Sequence, residues 1–363
     1  MSRLFGLPVA TLSAVLIVLT VSALGAVAAL ALRNRIFFKL GVRNMTRRRA
    51  RTATIVAGLM LGTAIVATAL ATGDIMANTV RSTVITTLGN TDEVVSARTA
   101  DTSSLATVGQ ATGTRYLTPS ETSAIVTAAS GSPLVDGVTP AIIEPVAVQD
   151  IKHGRSEGQV VLFSADPARM AGFGSIHGSA GAAVSLGDLG PGQVYLNKEG
   201  AKELGTRPGE HLTVLAAGHA GTVTVRDVVT YDGAGTDKYA VLMPLARAQQ
   251  LLGVGSQVQE VLVSNTGGSV SGATHTSAVQ KVLSPAAAQF GLQSQTVKQD
   301  GLDLADKQGA SFLSLFTTFG TFTIVAGILL IFLIFVMLAA ERRTEMGVAR
   351  AIGTKRGHLV ETF

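Results

Sequence analysis

The 363-residue sequence contains no cysteine, no tryptophan and few charged residues. Without cysteine the protein has no disulfide framework, no thiolate zinc site and no cysteine nucleophile. Its six histidines include no pair at the i, i+4 spacing of a zinc-binding helix. Charged residues make up 15% of the chain, whereas soluble domains carry about 25%. Together with the 47% of hydrophobic residues, this deficit predicts that part of the chain lies in a membrane.

Three stretches contain no Asp, Glu, Lys or Arg, namely residues 7–32, 52–73 and 308–340. Each is long enough to cross a bilayer, which needs about 20 residues in a helix. The first stretch also fits a cleaved signal peptide, because Met-Ser-Arg precedes it and small residues fill it. Its length and the basic block that follows it favour a retained span.

The distribution of charge predicts the topology. The segment 33–51 holds eight basic residues and no acidic residue, whereas residues 74–307 hold 15 basic and 21 acidic residues. Lys and Arg are enriched in short cytoplasmic loops, so the basic segment is expected inside and the long segment outside. A basic cluster can also bind nucleic acid, but one that directly precedes an apolar span favours the cytoplasmic face of a membrane.

Motifs for catalysis are missing from the sequence. It contains no G-x-x-x-x-G-K-[ST], no G-x-S-x-G and no H-E-x-x-H. We therefore expect no ATP hydrolysis by this chain and no catalytic residue. The three apolar stretches also contain no ionisable residue, which argues against a self-sufficient ion-coupled transporter.

Two polar segments contain residue types that occur in catalytic or metal-binding sites. Residues 174–179 place a histidine among serines, but the surrounding glycines favour a surface loop over a hydrolase site. Residues 232–237 combine carboxylates with glycines, but they lack the regular oxygen spacing and the closing glutamate of a calcium loop. We expect a hairpin turn there, and no metal site.

Helical patterning continues beyond the second apolar stretch. Apolar residues recur at near-helical spacing as far as Leu88, which predicts a stalk that ends near Gly89 and Asn90. Thr118 and Glu121 then form a capping box that predicts a helix over residues 119–129.

The rest of the outer segment alternates irregularly between strand and helix patterns, which predicts an α+β domain. The glycine-rich residues 172–192 are predicted to be a surface loop, and a division into two lobes is expected between residues 165 and 192. Strands are predicted at residues 141–148, 160–163, 193–196, 210–216, 222–231, 239–243 and 258–264. Helices are predicted at residues 198–204, at 244–252, and from about 273 to 290.

The segment after the third apolar stretch is the most informative. Residues 341–353 read E-R-R-T-E-M-G-V-A-R-A-I-G, which predicts a short helix with an i, i+3 ion pair and an apolar strip. By itself this pattern also fits a solvated end with a basic anchor. Ahead of the second apolar stretch, residues 43–52 read R-N-M-T-R-R-R-A-R-T.

Both segments resemble signatures of one family. The pattern E-R-R-x-E-x-G-x-x-R-A-x-G resembles the signature that follows the second core span of the FtsX/MacB-type permease family of ABC transporters. The pattern R-N-x-x-R-x-x-x-R-T resembles the amphipathic segment before the family's first core span. Residues 194–209 and 243–252 are similar to segments of its extracytoplasmic domain. The resemblance covers residues 38–363.

The resemblance implies a fold of α-helical membrane spans plus an inserted extracytoplasmic α+β domain, MacB-like and of the porter and sabre type. The expected organisation is an additional N-terminal transmembrane helix at 1–32, a basic cytoplasmic loop at 33–51, core transmembrane helices at 52–73 and 311–340, the extracytoplasmic domain with helical stalks at 74–310, and a truncated cytoplasmic coupling helix at 341–363. The residues expected to couple to the ATPase are Glu341, Arg342, Arg343, Glu345, Met346, Gly347, Arg350, Ala351 and Gly353. The basic segment at the membrane contributes Arg43, Asn44, Arg47, Arg48 and Arg51.

The implied function is a permease subunit that couples ATP hydrolysis by a separate subunit to movement of the outer domain. The implied partners are an ABC ATPase, a second permease copy or half, and the lipid bilayer of the cell membrane, with no nucleic acid and no cofactor. Because the family core has four spans, we expect the chain to be part of a longer permease. Two other classes stay open: a membrane-anchored extracytoplasmic sensor or binding protein, and a tethered enzyme.

Overall fold

The computed structural model describes residues 49–97 and 115–341, apart from residues 217, 235 and 237, and single residues nearer the two ends. It divides into two compact units. One comprises Met1–Ala77 and Lys307–Phe363, and the other comprises Asn78–Asp306.

Long helices dominate the first unit. Helix α1 covers Arg49–Leu88 and the last helix, α7, covers Val297–Glu341, and neither contains proline. A small antiparallel pair joins β1 (Arg3–Leu4) to β2 (Leu7–Pro8). Among the described residues, no helix combines the length and the apolar character needed to cross a membrane. The three spans therefore stay predictions, and most of residues 7–32 lie outside the described part of the chain.

The second unit is built on a nine-stranded mixed sheet in the order β13-β3-β12-β4-β5-β11-β8-β10-β9. These strands are β3 (Glu93–Ser96), β4 (Val135–Asp150), β5 (Arg155–Ala165), β8 (Gln193–Asn197), β9 (His211–Ala216), β10 (His219–Val229), β11 (Ala240–Pro244), β12 (Glu260–Asn265) and β13 (Gln293–Gln295). A separate two-stranded pair consists of β6 (Ile176–His177) and β7 (Ala183–Val184).

Strand β4 closes part of this sheet into a circle of hydrogen-bonded strands. Its first half pairs with β12, and its second half pairs with β9, where Val148 lies opposite Val214. Because β4 also pairs with β5 from Ala141 to Asp150, the strands β4, β5, β11, β8, β10 and β9 form a closed circle. The strands β12, β3 and β13 extend the sheet beyond that circle.

The described part of this unit contains five further helices: α2 (Pro119–Ser130), α3 (Lys198–Leu204), α4 (Leu245–Leu252), α5 (Gly268–Ser271) and α6 (Thr276–Ala288). Short 3₁₀ turns occur at Pro167–Arg169, Ala171–Phe173, Leu186–Asp188 and Gly272–His275. Side-chain caps explain two helix starts: Thr118 and Glu121 close the capping box of α2, and Asn197 accepts a hydrogen bond from the Gly200 N–H at the start of α3.

Alternating strand residues divide the apolar side chains between cores. One core packs Leu162 and Val241 against helices α3 and α4, and another packs the neighbouring Phe163 and Leu242 on the opposite face. A third core places Ile125 of α2 with the β12 and α6 side chains. The sheet is therefore covered on both faces.

Local predictions are largely confirmed, and two predictions about connections are wrong. The capping box, the helix 198–204 and the helix end at Gly89 are present. Residues 232–237 do not form a hairpin turn, because β8 lies between the two strands that they connect. No division occurs at residues 165–192 either, since β5 and β8 on either side of that stretch belong to the same closed circle.

Candidate functional site

The most distinctive site of the second unit lies where the ends of α1 and α7 join the sheet. Helix α1 ends at Leu88 and leads directly into β3, whereas β13 leads directly into α7. These two strands are neighbours and run antiparallel, with Val94 opposite Gln295 and Ser96 opposite Gln293. The two helices are thus connected to one pair of hydrogen-bonded strands.

The turn after α1 depends on glycine. Gly89 has a φ of +53°, a left-handed conformation that residues with a Cβ adopt at a cost. A Cβ at this position would also fall against the backbone carbonyl oxygen of Asp232. The next residue, Asn90, donates a side-chain hydrogen bond of 2.9 Å to the carbonyl oxygen of Gly172. The chain therefore leaves α1 in one well-defined direction.

Asp92 and Lys298 form an ion pair at this junction. The Lys298 Nζ lies 2.8 Å from Asp92 Oδ1, and both side chains are fully buried. The Lys298 N–H also donates to the Asp92 carbonyl oxygen at 3.3 Å. The other carboxylate oxygen of Asp92 accepts the N–H of Asn265 at 2.8 Å. Asp92 therefore links the end of α1, the start of α7 and strand β12.

A second buried carboxyl group adjoins the pair. Glu93 accepts a 2.9 Å hydrogen bond from the side-chain amide of Asn265. Burial raises the pKa of Glu93 to about 7, and burial also raises the pKa of Asp92, although the ammonium of Lys298 opposes that rise. Two carboxyl groups and one ammonium thus share a site without exposed surface.

A second ion pair joins α1 and α7 farther from the sheet, close to the boundary of this unit. The Arg81 Nη2 of α1 lies 2.6 Å from Asp306 Oδ1 of α7. About half of each side chain is exposed. Lys298 and Asp306 are eight residues apart on α7, so the two ion pairs are about 12 Å apart along a helix that rises 1.5 Å per residue. The two helix ends therefore run side by side between them.

This arrangement is suited to holding elements together. Asp92 and Glu93 have no exposed surface, so neither presents a carboxylate to a dissolved substrate. Breaking a fully buried ion pair is costly because it leaves one charge unpaired in a medium of low polarity. The junction can consequently keep the ends of α1 and α7 in register with β3 and β13.

The sequence-predicted coupling residues lie elsewhere, and the structure describes few of them. Helix α7 ends at Glu341, and beyond it Arg343, Gly347 and Ala351 are helical and exposed. The remaining members of that set lie outside the described residues: Arg342, Glu345, Met346, Arg350 and Gly353. The coupling role of these residues therefore stays a prediction.

The basic segment predicted at the membrane is described in one position. Arg51 belongs to helix α1. Arg43, Asn44, Arg47 and Arg48 lie outside the described residues. The role predicted for this segment therefore stays a prediction.

Sequence reasoning missed Asp92 and Lys298. A local signal was present, because Asp92 follows the predicted helix end at Gly89 and Lys298 stands shortly before the third apolar stretch. What the pattern did not indicate is their burial, which depends on the pairing of β3 with β13.

Comparison with known proteins gives two family matches. Residues 52–284 match the family described as the MacB-like periplasmic core domain, and residues 317–363 match the FtsX-like permease C-terminal family. The first match alone covers more than half of the chain. No curated protein matches the chain.

Two solved structures are similar to the chain at 13% sequence identity and a TM-score of 0.38. One is the extracellular domain of the noncanonic ABC-type transporter YknZ from Gram-positive bacteria, with 57% of this chain and 100% of that chain covered. The other is the periplasmic region of MacB from Actinobacillus actinomycetemcomitans, with 58% of this chain and 91% of that chain covered.

Proposed function

Because the chain belongs to the FtsX/MacB-type permease family, we propose that it is the permease subunit of an ABC transporter and couples ATP hydrolysis by a partner to movement of its outer domain. Its place is the cell membrane, with several spans and with the nine-stranded domain on the extracytoplasmic side. The family membership supports a permease role, and the charge distribution of the sequence supports the orientation.

The partner is an ABC ATPase subunit. The sequence contains no phosphate-binding loop of the Walker type, so the hydrolysed nucleotide is bound by another chain. A second permease copy, or a second permease half, completes the assembly. The permease itself supplies no catalytic residue and needs no cofactor.

The junction of Asp92 and Lys298 is the observation that carries the proposed coupling. Helices α1 and α7 are both connected at this point to adjacent strands of one sheet. A relative displacement of α1 and α7 is therefore imposed directly on the β3–β13 pair. The buried ion pair resists separation of the helix ends, so the displacement moves the sheet as a whole.

At the cytoplasmic side, the segment after α7 is the proposed contact with the ATPase. Its residues are Glu341, Arg342, Arg343, Glu345, Met346, Gly347, Arg350, Ala351 and Gly353. The basic residues before the first core span, from Arg43 to Arg51, are proposed to lie at the lipid headgroups.

Three substitutions in the coupling segment test this function. Arg350→Glu reverses a charge, Met346→Asp disrupts the apolar strip, and Gly353→Pro disturbs the helix end. Loss of a buried charged contact at an interface costs about 2 to 5 kcal/mol of binding, whereas an exposed substitution changes stability by within about 0.5 kcal/mol. We expect each variant to insert normally and to lose most of the stimulation of its partner's ATPase.

The measurement is ATPase stimulation in a reconstituted complex that contains the complete permease. Lys281→Glu is the matched control, because Lys281 is an exposed residue of the outer domain. Unchanged stimulation in all three coupling variants would overturn the proposal and favour a membrane-anchored sensor or binding protein.

A further inference from the structure

Three metal-ligating side chains meet at the end of the closed circle of strands, away from the helix junction. Asp150 is the last residue of β4, His153 lies in the turn between β4 and β5, and Glu210 directly precedes β9. One ligand atom from each residue lies within 4.8 Å of the others. Because β4 pairs with β9 here, the three residues mark the seam where the circle of strands closes.

The distances are close to those of a metal site. The His153 Nδ1 lies 2.9 Å from Asp150 Oδ2 and 3.9 Å from Glu210 Oε2. Ligand atoms bound tetrahedrally at the usual 2.0 to 2.2 Å lie about 3.4 Å from one another. Small side-chain rotations therefore suffice to aim all three groups at one ion.

The surroundings of Asp150 resemble a built site. Its carboxylate is fully buried, and one oxygen accepts a 2.6 Å hydrogen bond from the Thr206 hydroxyl. The other oxygen accepts the N–H of His153 at 3.0 Å. Such second partners orient a ligating carboxylate. The side chains of Glu210 and His153 are 13% and 33% exposed, so an ion reaches the cluster from the surface.

Lys152 offers the simpler explanation of the cluster. Its Nζ lies 2.5 Å from Glu210 Oε1, so the charges could serve a purely structural ion network. However, Lys152 is 67% exposed and contacts Glu210 through the oxygen that does not face His153. The imidazole and the inner carboxylate oxygens remain directed at one another.

We propose that Asp150, His153 and Glu210 bind a divalent transition-metal ion, with zinc as the best match to one imidazole and two carboxylates. Water completes the coordination, and Thr206 orients the buried ligand. Bound metal fastens the β4–β5 turn to the start of β9 and so stabilises the closed circle of strands. A chain that binds the ion only when folded gains thermal stability with metal concentration.

The test measures zinc binding and thermal unfolding of the full chain, purified in mild detergent without an affinity tag and freed of metal by a chelator. We expect one zinc ion per chain by titration calorimetry. At one hundred times Kd, the unfolding temperature of the outer domain should rise by roughly 5 to 10 °C. Equal concentrations of magnesium should have little effect, because magnesium prefers an octahedral set of oxygens.

Variants separate the metal site from a structural ion network. His153→Ala and Glu210→Gln should each weaken zinc binding at least tenfold, whereas His219→Ala, which removes an exposed histidine elsewhere, should not. Lys152→Met removes the competing ammonium and should tighten zinc binding. If the chain binds no stoichiometric zinc, or if His153→Ala and Glu210→Gln both bind as the unmodified chain does, the proposal is overturned.

Discussion

The ammonium of Lys298 lies 2.8 Å from the carboxylate of Asp92, and neither side chain is exposed. The pair joins Asp92, four residues after the end of α1, to the first turn of α7. The pair lies where both helices connect to adjacent strands of the nine-stranded sheet.

Lys298→Met should destabilise the outer domain. The substitution leaves Asp92 buried without a counter-charge, a change that costs about 3 to 5 kcal/mol in proteins. The double variant Asp92→Asn with Lys298→Met removes both charges and should recover part of that loss. Thermal unfolding of the full chain, followed by circular dichroism, measures both.

Lys281→Met is the matched control, since Lys281 is exposed. A loss of stability in Lys298→Met that is no larger than in this control would show that the ion pair does not hold the junction.

A second prediction concerns pH. Burial raises the pKa of Glu93 from 4.5 to about 7 in the folded protein. The folded state therefore binds more protons than the unfolded state between pH 4.5 and 7, so the free energy of unfolding falls as pH rises through this interval. The full effect, present above pH 7, is on the order of 3 kcal/mol.

Glu93→Gln keeps an oxygen that can accept the hydrogen bond from Asn265 and removes the ionisable group. We expect the variant to be more stable than the parent at pH 8 and to differ little from it at pH 5. Comparing the variant with the parent at the same pH cancels the contributions of the other titrating groups to the free energy of unfolding. The pKa values of Asp150 and Glu121 are lowered to about 2, so these two groups change the free energy of unfolding only at lower pH, where stability is lost as pH falls. If Glu93→Gln differs from the parent in stability by the same amount at pH 5 and at pH 8, the raised pKa of Glu93 is contradicted.

The sequence predicts the features of this fold that depend on residues close together in the chain, and it does not predict the pairing of distant strands. The capping box of Thr118 and Glu121 and the helix end at Gly89 are local, and both are confirmed. The pairing of β4 with both β12 and β9 is not local, and no hydrophobic period indicates it. The position of β8 between β10 and β11 is also non-local, and for this reason the prediction of a hairpin at residues 232–237 is wrong.

The candidate site was predictable to a smaller extent. Asp92 stands near the predicted helix end at Gly89, and Lys298 stands shortly before the third apolar stretch, but a charged residue is normally exposed. Their burial follows from the β3–β13 pairing, which brings together two ends of the outer segment. The cluster of Asp150, His153 and Glu210 was not predicted, because Glu210 and the Asp150 turn are brought together by the β4–β9 pairing.

Gly89→Ala should be far more damaging than a comparable glycine substitution. Its positive φ costs about 1 kcal/mol with alanine, and the new Cβ would also meet the Asp232 carbonyl oxygen. Gly255 has a similar φ of +65° but open space around it, so Gly255→Ala should show the conformational cost alone. Unfolding temperatures of the two variants compare them directly. A loss in Gly89→Ala no greater than in Gly255→Ala would mean that the turn can move away from Asp232.

The exposed pair of Arg81 and Asp306 allows coupling to be separated from stability. Both side chains are about half exposed, and exposed ion pairs contribute about 0 to 1 kcal/mol. Arg81→Asp places two carboxylates side by side and should force the helices apart without unfolding the domain. If displacement of α1 against α7 drives the outer domain, this variant should reduce stimulation of the partner's ATPase, while its unfolding temperature stays near that of the parent.

The exchanged double variant, Arg81→Asp with Asp306→Arg, restores opposite charges and should recover stimulation. Impaired stimulation in the single variant that the exchange fails to restore would mean that the position matters for a reason other than this ion pair.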